Sequence, residues 1–164
     1  MRKVSKAGQQ KVLNSDGLRF RFATESDAAV LQRLIQNYYQ FDKIPFRPGA
    51  IKKNLHQLLR DASLGRALLC SKNDRAIGYA MLIFWFDTEF GGRCAALTDF
   101  YVSPGHRRKG VGRRMMRQVE KYSIESRCHA LELQVERDNS GAMAFYKALG
   151  FRSHSRIPMS KHLR

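Results

Sequence analysis

The feature that most constrains this chain is Arg107-Arg108-Lys109-Gly110-Val111-Gly112, entered through Phe100-Tyr101-Val102-Ser103-Pro104. The aromatic and β-branched residues predict a strand, and Pro104-Gly105 ends it. Gly110 and Gly112, separated by one residue, let the backbone turn tightly with its N–H groups bare. From Val111 to Glu125 the apolar residues Val111, Met115, Val119 and Tyr122 recur at spacings of three and four, which predicts a helix. Strand, glycine-bearing turn and helix N-terminus together make an anion site. Unpaired N–H groups and the positive dipole end face the guest, and Arg107, Arg108, Lys109 and Arg113 add full charges. The guest that fits is a phosphate or pyrophosphate. No Gly-Lys-Ser/Thr closes the motif, and the three-glycine dinucleotide fingerprint is missing. On these residues alone, a basic surface turn capping an ordinary helix stays open as the simpler reading.

The chain of 164 residues is long enough for one domain with a substantial core. Its longest apolar run, Ala80 to Phe86, is far too short to span a bilayer, so no membrane partner is expected. The N-terminus is basic without an apolar stretch, so no signal peptide is expected. Cys70, Cys94 and Cys128 form no Cys-x-x-Cys and sit in or beside apolar stretches, which predicts free thiols and a cytoplasmic setting. His56, His106, His129, His154 and His162 show no metal-ligand spacing, and no metal is expected. The net charge of +16 gathers in residues 1–21, 107–127 and 147–164. Such charge attracts nucleic acid, an anionic surface or an acidic small molecule, and it also serves solubility.

Residues 1–16 are polar and basic and read as a mobile lead-in to a single domain over 17–164. Leu18-Arg19-Phe20-Arg21-Phe22 alternates as a half-buried strand. Thr24, with Glu25 and Asp27 behind it, predicts a capped helix through Ala28, Leu31, Leu34, Ile35 and Tyr38. The link Lys43 to Pro48 breaks it, and a second helix runs from about Gly49 to Arg60; the pair would form a lid over one end of a sheet. Arg66–Ser71 and Ala76–Asp87 are strands around an Asn73-Asp74 turn, with Gly78 marking a bulge or a close backbone approach. Arg93–Val102 is the next strand, and Ala130–Val135 follows the basic helix. A final helix spans Asn139 to Leu149, closed by Gly150, and Phe151–Ile157 is expected to be a last strand.

Leu97-Thr98-Asp99-Phe100-Tyr101-Val102 followed by Arg107-x-x-Gly110-x-Gly112 resembles the central strand and pyrophosphate loop of the GNAT N-acetyltransferase superfamily. Asn139-x-x-Ala142-x-x-Phe145-Tyr146-x-x-x-Gly150-Phe151 is similar to that family's terminal helix and strand. The resemblance covers roughly residues 18–157 and, over Phe84 to Val102, leans toward the diamine (spermidine/spermine) acetyltransferase branch. It implies an α/β fold with a mixed central sheet of about six to seven strands flanked by about four helices. It also implies acetyl-CoA as cofactor and acetyl transfer to a primary amine by direct attack in a ternary complex. The chain departs from the pattern twice: Thr98 stands where that branch has glutamate, and Arg108 where the family has glycine.

The same resemblance implies roles for particular residues. The backbone of Phe100, Tyr101 and Val102 would pair with the pantetheine arm, and its N–H groups would polarise the acetyl oxygen. Arg107, Arg108, Lys109, Gly110, Val111, Gly112 and Arg113 would hold the pyrophosphate, and Asn139 and Ala142 would contact the coenzyme or order the helix. Tyr146 is the candidate general acid for the departing thiolate. An alkyl amine has a pKa near 10, so a base must collect its proton. Thr98 cannot do so alone; of Asp87, Glu89 and Asp99, Glu89 ranks first because its turn would face the substrate mouth. A small-molecule amine is the favoured acceptor. Two alternatives stay open: a protein lysine or N-terminal amine, and a domain without turnover that senses acyl-CoA or docks nucleic acid along Arg113, Arg114, Arg117 and Lys121. Exposed aromatic surface leaves a homodimer open as well.

Overall fold

The computed structural model describes residues 17–163; the lead-in expected over 1–16 lies outside them. The chain divides into two compact units at Gln134/Val135.

The first unit is a five-stranded sheet in the order β1-β2-β3-β4-β5, with β1 Leu18–Phe22, β2 Gly65–Lys72, β3 Arg75–Asp87, β4 Gly92–Val102 and β5 Ala130–Leu133. The first four pair antiparallel, as short hairpin turns and a helical excursion after β1 permit. β5 joins β4 in parallel, because helix α3 (Val111–Glu125) carries the chain back along the sheet. Helices α1 (Ala28–Phe41) and α2 (Pro48–Arg60) supply the apolar stripe Leu31, Leu34, Ile35 and Leu55, which packs with Ala67, Leu69, Tyr79 and Tyr101. The opposite face takes α3, whose Tyr122 ring lies 4.2 Å from Phe22 and 6.2 Å from Phe84. Met115, Met116 and Val119 are completely or almost completely buried there, so the helical spacing read from the sequence is a core stripe.

Thr24 caps one turn of 3-10 helix, Glu25–Asp27, that leads into α1. Asp27 closes the corner: its carboxylate accepts from the Thr24 N–H (2.8 Å) and from both terminal nitrogens of Arg21 (2.6 and 2.7 Å). Chiefly through the Arg21 hydrogen bonds, its pKa is held down to about 2. Gly78 is a close approach: a Cβ there would stand 2.5 Å from the Tyr101 carbonyl oxygen. The neighbouring register shift falls between Cys70 and Ser71. All three cysteines are free thiols, Cys70 and Cys94 buried and Cys128 half-buried.

In the second unit, helix α4 (Ser140–Lys147) is capped by Asn139, whose side-chain oxygen accepts from the Ala142 N–H at 3.0 Å. Gly150, at φ +92°, ends it in a Schellman turn. Its N–H donates to the Lys147 carbonyl, and the Phe151 N–H donates to the Tyr146 carbonyl. The last strand expected over Phe151–Ile157 does not form, and among the described residues the sheet has five strands instead of six to seven. Between Phe151 and Ile157 every residue is Arg, Ser or His, so the segment offers no apolar alternation for a sheet face.

Candidate active site

β4 leaves the sheet in two stages. β5 pairs only with Cys94–Leu97, so from Thr98 to Val102 the ladder continues on the β3 side alone. At the point of parting lies a β-bulge: Met81 pairs with Asp99 and Leu82 with Leu97, leaving Thr98 as the extra residue. Beyond it, among the described residues, the edge of β4 away from β3 has no paired strand. The side chains of Tyr101 and Val102 are buried, so what this segment offers along that edge is backbone.

The chain then turns through Pro104–His106 and into the loop. Arg108 takes a left-handed conformation at φ +59°, as does Gly110 at φ +76°. This explains the glycine that the family places at position 108. Arg108 holds that conformation at a cost of roughly 1 kcal/mol for its Cβ. The first α3 hydrogen bond runs from the Arg114 N–H to the Gly110 carbonyl at 3.1 Å. The N–H groups of Val111, Gly112 and Arg113 therefore precede the helix ladder and have no acceptor within it. Two of the loop cations have structural duties. Arg107 donates through Nε to the Val102 carbonyl (2.7 Å), with its guanidinium 4.3 Å from the Phe41 ring centre. Lys109 donates through Nζ to the Gly105 carbonyl at 2.8 Å. They fasten the loop, and Arg113 stays exposed at its mouth. Further along α3, Arg117 and Lys121 are also exposed, whereas Arg114 turns over the Phe20 ring.

The carboxylates separate clearly. Glu89 is exposed in the β3–β4 hairpin turn, at the end of β4 opposite the loop. The six residue-to-residue steps of strand from Gly92 to Thr98 put that hairpin roughly 20 Å from the bulge. Thr98 itself is satisfied, its hydroxyl donating to the Met81 carbonyl at 3.4 Å. Asp99 stands at the bulge, with the Tyr79 hydroxyl donating to its Oδ2 at 2.8 Å. Burial pushes the Asp99 carboxyl upward, and the Tyr79 hydrogen bond only partly offsets this. Tyr79 is fully buried, and desolvation first, then the Asp99 charge, drives its pKa far above the phenol range. Tyr39 is raised by burial and then by the same carboxylate.

Around Asp99 sits an aromatic group that the sequence reading did not assemble. Tyr38 lies 6.5 Å from Tyr79, 6.0 Å from Tyr101 and 5.8 Å from Tyr39, and Tyr39 lies 6.3 Å from Phe46, centroid to centroid. The β3–β4 register sets Tyr79 opposite Tyr101, and the strand period of two puts Asp99 on the same face as Tyr101. Beside it an open groove of about 390 Å³ is lined by Asn37, Gln40, Phe41, Tyr101 and Pro104.

In the second unit, Asn139 and Ala142 are bound to each other by the helix cap described above. Tyr146 is half-buried between Phe145 (5.2 Å) and Phe151 (5.7 Å), and burial pushes its phenol up to about 12.

Comparison with known proteins decides what this geometry belongs to. Residues 30–151 match the model of the acetyltransferase (GNAT) family. The chain belongs to that family. Among its relatives is the thialysine N-epsilon-acetyltransferase of Mus musculus, 28% identical over 143 residues, covering 80% of this chain and 82% of that protein. The human spermidine/spermine N(1)-acetyltransferase-like protein 1 is 25% identical over 146 residues, 82% of this chain and 20% of that protein. Among solved structures, an integron cassette protein from a salt-marsh metagenome superimposes with a TM-score of 0.79 at 27% identity, over 88% of this chain and 90% of its own. An aminoglycoside N-acetyltransferase in complex with CoA gives a TM-score of 0.79 at 16% identity, over 93% and 99%, which is a likeness of fold. This GNAT chain is an acetyl-CoA-dependent N-acetyltransferase with a mixed α/β fold. No helix among the described residues is long and apolar enough to cross a membrane.

Proposed function

We propose that this enzyme acetylates the primary amine of a small molecule by direct attack in a ternary complex. The observation that carries this reading is the parting of β4 from β5 at Leu97, immediately upstream of a loop whose first-turn N–H groups have no helical acceptor. An extended acyl carrier fits that gap as an added strand, with its diphosphate on the amides of 110–113. Acetyl-CoA supplies the activated acetyl group when bound. The chain's own residues do the rest. Asp99, whose raised pKa brings it closer to that of an alkyl ammonium than an ordinary carboxylate, receives the amine proton directly or through one water. It takes the base role expected of Glu89, whose hairpin stands far from the bulge. A main-chain N–H on the β4 edge away from β3 stabilises charge on the acyl oxygen. Tyr146, protonated throughout the neutral range, donates a hydrogen bond that strengthens as charge gathers on the departing sulfur. Arg113 adds positive charge beside the diphosphate, while Arg107, Arg108 and Lys109 shape the loop.

The test pairs binding with turnover. Gly112→Asp places a carboxylate in the first turn of α3, where an acidic residue favours the helix, so the fold should persist. Coenzyme A affinity should fall by at least tenfold, measured by calorimetry, while wild-type protein releases free thiol from acetyl-CoA only when an amine is added. Normal coenzyme A affinity in the folded variant would contradict the loop assignment, and no thiol release with any amine would contradict the activity.

A further inference from the structure

Resting on that reading, we propose that the acceptor is an amine carrying an anionic group of its own, a carboxylate or a phosphate, and is not a di- or polycation. The amine end meets Asp99; the anionic end meets Lys43 and Arg47 on the link between α1 and α2.

The link is tied to the aromatic group around Asp99. The Ile44 N–H donates to the Tyr39 carbonyl at 2.8 Å, folding the chain back over the end of α1, and Lys43 makes the turn in a left-handed conformation at φ +56°. Phe46 then packs its ring 6.3 Å from Tyr39, the tyrosine that senses the Asp99 charge. Lys43 and Arg47 are the residues next to these two anchors; both are exposed, and among the described residues no carboxylate is paired with either.

Charge around the site sorts in one direction. From Ala28 to Arg60 the chain carries Arg33, Lys43, Arg47, Lys52, Lys53 and Arg60 against the single carboxylate of Asp42. Of those cations, Arg60 is engaged by Glu25 at 2.7 Å. The groove beside Tyr101 presents the neutral amides of Asn37 and Gln40 and no carboxylate. One ammonium group is well served: Asp99 is a half-buried carboxylate beside tyrosine rings, which favour a cation over their faces. A second ammonium on the same molecule meets a net positive rim whose one carboxylate, Asp42, is outnumbered by the cations, whereas an anionic group there is attracted. The specificity is set by repulsion as much as by attraction.

The experiment compares matched acceptors that differ by one anionic group: L-lysine against cadaverine, and 3-aminopropyl phosphate against 3-aminopropanol. Initial rates of thiol release from acetyl-CoA give kcat/KM for each. The anionic member of at least one pair should be favoured by tenfold or more, and which pair responds tells carboxylate from phosphate. In Lys43→Gln/Arg47→Gln that preference should shrink to under threefold, with the anionic acceptor losing rate and cadaverine gaining it. Both substitutions are at exposed positions, and circular dichroism checks the fold. Equal or better rates for cadaverine and 3-aminopropanol in wild-type protein would overturn the inference while leaving the acetyltransferase reading intact. A preference unaltered in the double variant would also overturn it. Silence with all four amines would overturn that reading and this inference together.

Discussion

Asp99→Asn should lower kcat/KM for the amine by about 10²- to 10³-fold, because it removes the proton acceptor and little else. Asparagine has the same shape and its oxygen still accepts from the Tyr79 hydroxyl, so the contact at 2.8 Å survives. Stability should move in the opposite direction to activity. Burial raises the Asp99 pKa in the fold, so the folded protein holds that proton more tightly than the unfolded chain does. The fold is therefore most favoured with Asp99 protonated. Stability is lost as pH rises from the ordinary carboxylate pKa through the raised one, and neutral Asn escapes that loss. A thermal midpoint at neutral pH equal to or above wild type, with activity down, is the signature of a base held in a site that disfavours its charge. The pH profile adds a second readout. In wild-type protein kcat/KM should climb through the raised Asp99 pKa and again as free amine appears toward pH 10. The variant should keep only the second rise. A variant with wild-type rates, or with both limbs, would remove Asp99 from the chemistry.

Tyr146→Phe should reduce kcat by about 10- to 10²-fold and change acetyl-CoA affinity by less than about twofold. Phenylalanine keeps the ring between Phe145 and Phe151, so α4 and its Schellman closure have no reason to change. With its phenol pushed up to about 12, Tyr146 stays protonated across any accessible pH, so its loss should scale the profile without removing a limb. A thiol is ordinarily more acidic than this raised phenol, so outright transfer from it is uphill. Tyr146 therefore acts best by a hydrogen bond that strengthens as charge gathers on sulfur. The deficit should depend on the leaving group: with an acetyl thioester of a more acidic thiol, the variant should approach wild type. An equal deficit with both thioesters would mean that the hydroxyl does not serve the sulfur.

Most of the scaffold was legible because local chemistry and tertiary packing agree. The Leu18–Phe22 alternation, the Val111–Tyr122 stripe, the Asn139 cap and the Gly150 closure each rest on contacts within a few residues or on one buried face. Elsewhere a residue type admits two uses. Arg107 and Lys109 each donate to a carbonyl within five residues, a contact that the loop sequence alone does not announce. Glu89 is near Asp99 in number but not in space, since a strand advances over 3 Å per residue. Phe151 to Ile157 lacks the interior apolar positions that would have made it a strand. The tyrosines around Asp99 required the β3–β4 register, which no single segment encodes.

A crystal structure with coenzyme A bound would test the central claim most directly. The diphosphate should accept hydrogen bonds from the main-chain amides of Gly110 to Arg113, with the pantetheine arm laid along Thr98–Val102 where β5 has parted from β4. A diphosphate seated on side chains elsewhere, or an arm that leaves that edge uncovered, would contradict it.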